Sequence, residues 1–415
     1  MAARRGKHRR GAVTPDRPAH PGFRDVFAVA EFRALWGAQL LSVAGDQLAR
    51  VALTVLVYDR TRSALLAAVA YAASIVPVFL GGILLSGVTD RRPRRQVMIV
   101  CDLARVPLAA LMAVPGMPLA ALIVLLCALT AIGAPFGSAR AAIYPEVLGE
   151  ARYPIGTAVT MTGYQFAQVA GFAVGGAVVG LAGPRVALLA DAATFVISAV
   201  LVRARVGDRP AAAAGSRTGE ERRGHLASGI RLVFGQRSIR TPMLLGWTST
   251  FYNVPEGLAA PLAGSFGGGP VAVGLILAAA ALGSSAGALA LVLLAGPQAR
   301  RQWTAPLAAG ACAVLIATAL RPGLPVVLVI LLVSGLFDCF QVPANAAFVA
   351  AVPDQQRGQA FGLAVAGMNL GQGTAMILAG AAAQRFGPAA VIAAAGAAGA
   401  IATAMITLAD RQPGS

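Results

Sequence analysis

The chain has 415 residues, 57% of them hydrophobic and only 12% charged, against about 45–50% and about 25% in an ordinary soluble domain. A mean hydropathy of +0.71 excludes a water-soluble globule, and the long apolar runs exclude a porin-like barrel, whose strands are ~10-residue alternations. The net charge of +17 lies between the apolar runs and not along one exposed face, so the expected partner is the lipid bilayer and not nucleic acid.

In chain order, residues 1–24 are basic and Pro-rich and read as a disordered tail at an anionic membrane surface. The first apolar run is long and charged at its middle, which marks a retained span and not a cleaved signal. Residues 25–202 then hold six expected spans, at 34–58, 64–88, 97–114, 117–137, 155–182 and 186–202. A polar, Arg-rich connection, 203–241, follows, within which His225 to Arg240 reads as a short amphipathic surface helix with Leu226, Ile230, Val233 and Phe234 on its apolar face. Residues 242–410 hold six more, at 242–265, 271–296, 303–320, 325–352, 358–383 and 388–409, and 411–415 form a short tail. The expected fold is therefore all-α, with twelve transmembrane helices in two six-helix bundles, most simply as a monomer. Cys101, Cys127, Cys312 and Cys339 fall inside apolar runs without metal-ligand spacing and read as packing residues.

Alternate connections sort the basic residues. With the N-terminus inside, 27 of the 34 Lys and Arg lie on the inner side and five on the outer, which puts both termini in the cytoplasm of a bacterial inner membrane. The halves also repeat. At an offset of 204, Gly163, Gln168, Gly176 and Ala177 answer Gly367, Gln372, Gly380 and Ala381, and the turn Gly183-Pro184 answers Gly387-Pro388. At an offset of 205, Ala139-Arg-Ala-Ala142 answers Ala344-Asn-Ala-Ala347. Duplicated six-helix halves are the architecture of alternating-access carriers, with a central site at the repeat interface.

Between spans two and three the chain reads Ser86-Gly-Val-Thr-Asp90-Arg91-Arg92-Pro93-Arg94-Arg95. This resembles the Gly-x-Leu-Ala-Asp-Arg-x-Gly-Arg-Lys signature of the major facilitator superfamily, with Asp90, Arg91, Arg94 and Arg95 in register and Ser86 and Pro93 as departures. The resemblance implies a cytoplasmic gate in which Asp90 faces the N-terminus of span eleven, near Gly358, where free N–H groups and the helix dipole favour a carboxylate. In span five, Gly171-Phe172-Ala-Val-Gly175-Gly176 resembles the superfamily's antiporter motif Gly-Pro-x-x-Gly-Gly, with Phe172 in place of proline; the same glycines also suit close helix packing. Phe32-Arg-Ala-Leu-Trp36, Ser42-Val-Ala-Gly-Asp46, Leu189-Ala-Asp-Ala-Ala-Thr-Phe195 and Val352-Pro-Asp-Gln-Gln-Arg357-Gly358 resemble the enterobactin-exporter and macrolide-efflux branch of drug:proton antiporters.

Asp46, Asp102, Asp191, Glu256 and Asp338 are the carboxylates within the spans, and Arg50 and Arg105 the bases. A charge at the bilayer centre costs at least ~2.5–3.5 kcal/mol, so each needs a cavity or a partner. Asp46 with Arg50, and Asp102 with Arg105, have the helical spacing of internal pairs, the second read as structural. Asp46, Arg50, Glu256 and Asp338 are the candidates for proton coupling or for a charged substrate. His8, His20 and His225 lie outside the spans, which excludes proton carriage by histidine, and span four, taken as 117–137, lacks the arginine often found there in such antiporters.

Candidate cavity residues are Tyr164, Gln165 and Gln168 in span five, Trp247, Phe251, Tyr252 and Asn253 in span seven, Phe340, Gln341 and Asn345 in span ten, and Asn369 and Gln372 in span eleven. Their mixture of aromatic and amide groups suits an amphipathic organic molecule better than a sugar. No nucleotide-binding pattern, cofactor site, metal site or catalytic constellation is present, so the expectation is secondary active efflux of a small molecule by proton antiport, with proton-coupled import as the alternative and enzymatic activity excluded.

Overall fold

The computed structural model describes residues 22–84, 92–209, 231, 233–353 and 356–411. Asp90 and Arg91 of the expected gate, and residues 225–230 and 232 of the expected 225–240 surface helix, lie outside them.

Eight described helices are long and apolar enough to cross a membrane. One of these, Leu119–Ala182, has 64 residues and at 1.5 Å per residue would run about 96 Å if straight, some three times the ~30 Å hydrocarbon thickness. It folds back at Gly149, whose φ of 66° and ψ of 169° favour glycine because a Cβ there meets its own backbone. Two spans, four and five, therefore run on either side of that residue. Three further crossings are built from shorter or more polar pieces: span two from Ala64–Ala72 and Val76–Leu84, span three from Arg94–Met112, and span seven from Arg237–Trp247, Ser249–Tyr252, Val254–Gly257 and Ala259–Ser265. These shorter pieces occupy the places of the remaining expected spans, and the outer surface is apolar, with Leu181, Leu294 and Leu320 almost bare.

The interruptions have local causes. Pro255 and Pro261 lie within the pieces of span seven, where each removes a backbone donor from the helical ladder. Span ten tightens into a 3-10 turn at Asp338–Phe340 between Leu324–Phe337 and Gln341–Ala351. Irregular backbone at membrane depth is tolerated where it lines a cavity, and Glu256 and Asp338 each sit on such an interruption.

The internal repeat reappears as equivalent packing. Gly163 of span five accepts the Trp36 indole of span one, and Gly367 of span eleven accepts the Trp247 indole of span seven. The turns at Gly183 and Gly387 share φ values of 84° and 83° and start the helices Pro184–Arg205 and Pro388–Arg411. Glycine seams recur within each half: Gly81 of span two lies on the Ala131 carbonyl of span four, and Gly283 and Gly287 of span eight lie on the Leu332 and Leu336 carbonyls of span ten.

The halves meet through a third pair of equivalent contacts. Gly176 of span five abuts Pro270 and Gly274 of span eight, while Gly380 of span eleven abuts Ala64, Leu65 and Ala68 of span two. Near the same end, Gln384 donates to the Ser63 hydroxyl across the interface at 2.6 Å. The structure is therefore closed between the halves at the end opposite the described chain ends.

Candidate transport site

Two neighbouring cavities lie inside the bundle, one of about 310 Å³ lined by the first half and one of about 240 Å³ between span five and the second half. The first is lined by Ser42, Asp46 and Arg50 of span one, Arg105 of span three, Arg140 of span four and Tyr164 of span five. The second is lined by Gln165 and Gln168 of span five, Tyr252, Asn253 and Glu256 of span seven, Ser284 of span eight, and Asp338 of span ten.

Asp46 does not pair with Arg50, as the i, i+4 spacing suggested. Span three packs against span six, and from it the long Arg105 side chain reaches span one, bonding to Asp46 at 2.5 Å and to the Ser42 hydroxyl at 3.3 Å. The same guanidinium stacks 3.8 Å over the Phe195 ring of span six and lies 3.9 Å from Asp102, an ion-pair contact beyond hydrogen-bond reach. Asp102 is fully buried, with neither carboxyl oxygen hydrogen-bonded. Asp191 of span six, also fully buried, faces Gly45 and has Asp46 and Arg105 as electrostatic neighbours. Three carboxyl groups thus surround one guanidinium.

Arg50 instead lies over the Tyr71 ring, 5.4 Å from its centroid. The Tyr71 hydroxyl, from span two, donates at 3.0 Å to Glu256 of span seven, a bond that joins the two halves. In the second half, Asp338 accepts hydrogen bonds from the Tyr252 hydroxyl and, at 2.8 Å, from Ser284. Gln341 holds that Tyr252 oxygen from the other side at 2.9 Å and also donates to the Gly246 carbonyl at 3.1 Å.

Of the expected cavity residues, Tyr164, Gln165, Gln168, Tyr252 and Asn253 line the two cavities. The others stand behind them or elsewhere. Phe340 is fully buried against the Tyr252 ring, the Trp247 indole donates to the Ala364 carbonyl at 2.8 Å, and Gln372 donates to Ser249 at 3.0 Å. Phe251 packs on the core beside Gly399, Asn345 is exposed, and Asn369 is half-buried.

Span four continues to Gly149, past the expected end at 137, so Arg140 belongs inside the bundle and not to a loop. Its guanidinium stands 5.7 Å over the Phe136 ring and lines the first cavity. Between Gly137 and Gly149 the sequence holds Ser138 and Pro145, yet the helix runs through both and turns only at Gly149. Tyr71 and Ser284 were also overlooked, because a single hydroxyl in an apolar run carries no pattern.

Arg94 and Arg95 brace the first half. Arg94 pairs with Glu146 and donates to the Ala142 carbonyl at 2.9 Å; Arg95 pairs with Asp208 at 2.7 Å and donates to the Arg203 carbonyl at 2.5 Å. Arg209 adds a bidentate contact to Glu31 at 2.6 and 2.8 Å. The glycines of the antiporter-like motif divide their contacts: Gly171 and Gly175 pack on Ala44, Gln47, Leu48 and Val51 of span one, and Gly176 on span eight.

A profile of the Major Facilitator Superfamily matches residues 35–256 and 257–415. The chain belongs to the Major Facilitator Superfamily. Membership makes it a multi-pass membrane transporter and not an enzyme. Among superfamily relatives, the multidrug efflux pump Tap of Mycobacterium tuberculosis and that of Mycobacterium bovis are each 28% identical over 318 residues, covering 72% of this chain and 74% of theirs. The fold is shared with a POT family transporter solved in complex with 5-aminolevulinic acid, at a TM-score of 0.72 and 11% identity, covering 94% of this chain and 97% of that one. It is shared too with a bacterial homologue of the human lysosomal transporter Spinster in an inward-facing, unoccupied conformation, at a TM-score of 0.70 and 14% identity, covering 92% and 96%.

Proposed function

We propose that this transporter exports an amphipathic small molecule in exchange for protons, by alternating access between halves 25–202 and 242–410 joined by the connection 203–241. Both termini are assigned to the cytoplasm of a bacterial inner membrane, so the closed end faces outward and the state described is the cytoplasm-facing one. The observation that carries the reading is the placement of Asp46, Glu256 and Asp338 on cavity walls inside the bundle, where a carboxylate is tolerated only with a partner or water. The similarity to the Tap efflux pumps supports export.

The coupling step follows from the contacts. Protonating Asp46 weakens its bond to Arg105, and protonating Glu256 removes the charge that the Tyr71 hydroxyl solvates across the halves. Substrate and protons then compete for one set of groups, which is the requirement for exchange. In its gate role, Asp90 with Arg91, Arg94 and Arg95 closes the cytoplasmic end on the start of span eleven in the opposite state.

Everted membrane vesicles test the reading. Energised vesicles should accumulate a fluorescent amphipathic substrate, an uncoupler should abolish accumulation, and Asp46→Asn or Glu256→Gln should abolish it with normal expression. Accumulation that survives uncoupling rejects proton exchange; uptake by right-side-out vesicles alone would favour import.

A further inference from the structure

The two cavities present opposite charges to each other. The first-half wall carries three guanidiniums, of Arg50, Arg105 and Arg140, and one carboxylate, Asp46, which is taken by Arg105. Neither Arg50 nor Arg140 has a carboxylate within ion-pair distance among the described residues, and the Nε of each is buried without a hydrogen-bond partner. The acids nearest to them electrostatically are Asp46 and Glu256 for Arg50 and Asp102 for Arg140, and Asp46 and Asp102 are shared with Arg105. The facing wall carries Glu256 and Asp338, no basic residue, and the amide-bearing Gln165, Gln168 and Asn253. The walls are close: Arg50 lies over the Tyr71 ring, 5.4 Å from its centroid, and Glu256 accepts the hydrogen bond of the same residue's hydroxyl.

Resting on the transport reading above, we propose that the paired cavities bind an amphipathic zwitterion, its anionic group between Arg50 and Arg140 and its cationic group at Glu256 and Asp338. A charge without a counter-charge at mid-membrane costs several kcal/mol. A ligand with both charges offsets that cost on both walls at once; one with a single sign offsets it on one wall only. Arg140 is the specificity-determining residue for the anionic group, because its guanidinium faces the cavity and is held by the Phe136 ring without a carboxylate. The sharing of one tyrosine by Arg50 and Glu256 fits the closely spaced charges of an α-amino acid head group.

The test uses three fluorescent probes of nearly equal size: Nε-dansyl-L-lysine, its methyl ester, which is a cation, and its Nα-acetyl derivative, which is an anion. Binding to the full chain in nanodiscs is read from dansyl emission against empty nanodiscs. One charge-assisted contact at a buried site separates affinities by about 10- to 100-fold, so the zwitterion should bind at least about tenfold tighter than either derivative. Arg140→Gln should reduce its affinity to that of the methyl ester, Arg140→Lys should restore most of the preference, and Glu256→Gln should reduce it to that of the acetyl derivative. Equal binding of all three probes by the unaltered chain, or an order that follows hydrophobicity, overturns the proposal, as does a preference untouched by Arg140→Gln in a folded variant. Failure of the transport reading looks different: Arg140-dependent binding of the zwitterion without movement into everted vesicles would uphold the site and reject export. Uncoupler-sensitive export of neutral dyes with no charge preference would do the reverse.

Discussion

Arg105 concentrates more charge around itself than any other described side chain. Its guanidinium, only 4% exposed, serves Asp46, Asp102 and Asp191 together. Removing it strands three acids, and breaking a buried pair from one side costs about 3–5 kcal/mol; Arg105→Leu should therefore lower the thermal midpoint of the purified protein by many degrees. Asp102→Asn should cost less than about 1 kcal/mol, because both carboxyl oxygens already lack hydrogen bonds and the amide introduces no uncompensated charge. Equal losses for the two, measured by thermal unfolding in the same detergent, would show that Asp102 is the anchor of the cluster. The sequence reading recognised every acid in this region but assigned their partners along single helices. Helical spacing reports which residues share a face, whereas Arg105 bonds across a helix interface, which one span's periodicity does not encode.

At the scale of elements, the glycines explain how the helices come so close. A Cβ on Gly176 would stand 2.9 Å from the Gly274 Cα and 3.0 Å from the Pro270 carbonyl, both backbone atoms that move only with their helix. Gly176→Ala should therefore push span five from span eight and weaken closure at that end, raising the reactivity of a cysteine placed in the nearby interface while Gly175→Ala, which meets the Val51 side chain as well as the Leu48 backbone, does so less. The span pattern was legible because 20-residue apolar runs have no other stable use, and the sequence repeat of Gly163 with Gly367 coincides with equivalent packing on the Trp36 and Trp247 indoles. The boundaries were less legible. The expected end of span four at 137 follows the fall in apolar density, yet the helix runs on through Pro145 and breaks only where the backbone turns left-handed at Gly149. Arg140 was misplaced for that reason alone. The broken backbone of span seven was likewise hidden, since Pro255 and Pro261 read as ordinary kinks until their neighbours line a cavity.

For the whole molecule, closure at one end includes a polar contact between the halves. Ser63 and Gln384 meet there at 2.6 Å, so cysteines at both positions should cross-link under mild oxidation, stop transport and recover on reduction. An unchanged transport rate in the cross-linked protein would exclude separation of the halves at that end from the cycle. The paired walls have a consequence for energetics. The first-half wall holds three guanidiniums with Asp46 and the second-half wall Glu256 and Asp338; on the proposed alternating access, a rocking of the halves about these adjoining walls would carry the fixed charges mainly across the field of the membrane potential and not along it. The work that potential performs in a cycle would then fall on whatever is carried, and a current recorded from oriented bilayers would count the cargo, with little contribution from the carrier's own rearrangement.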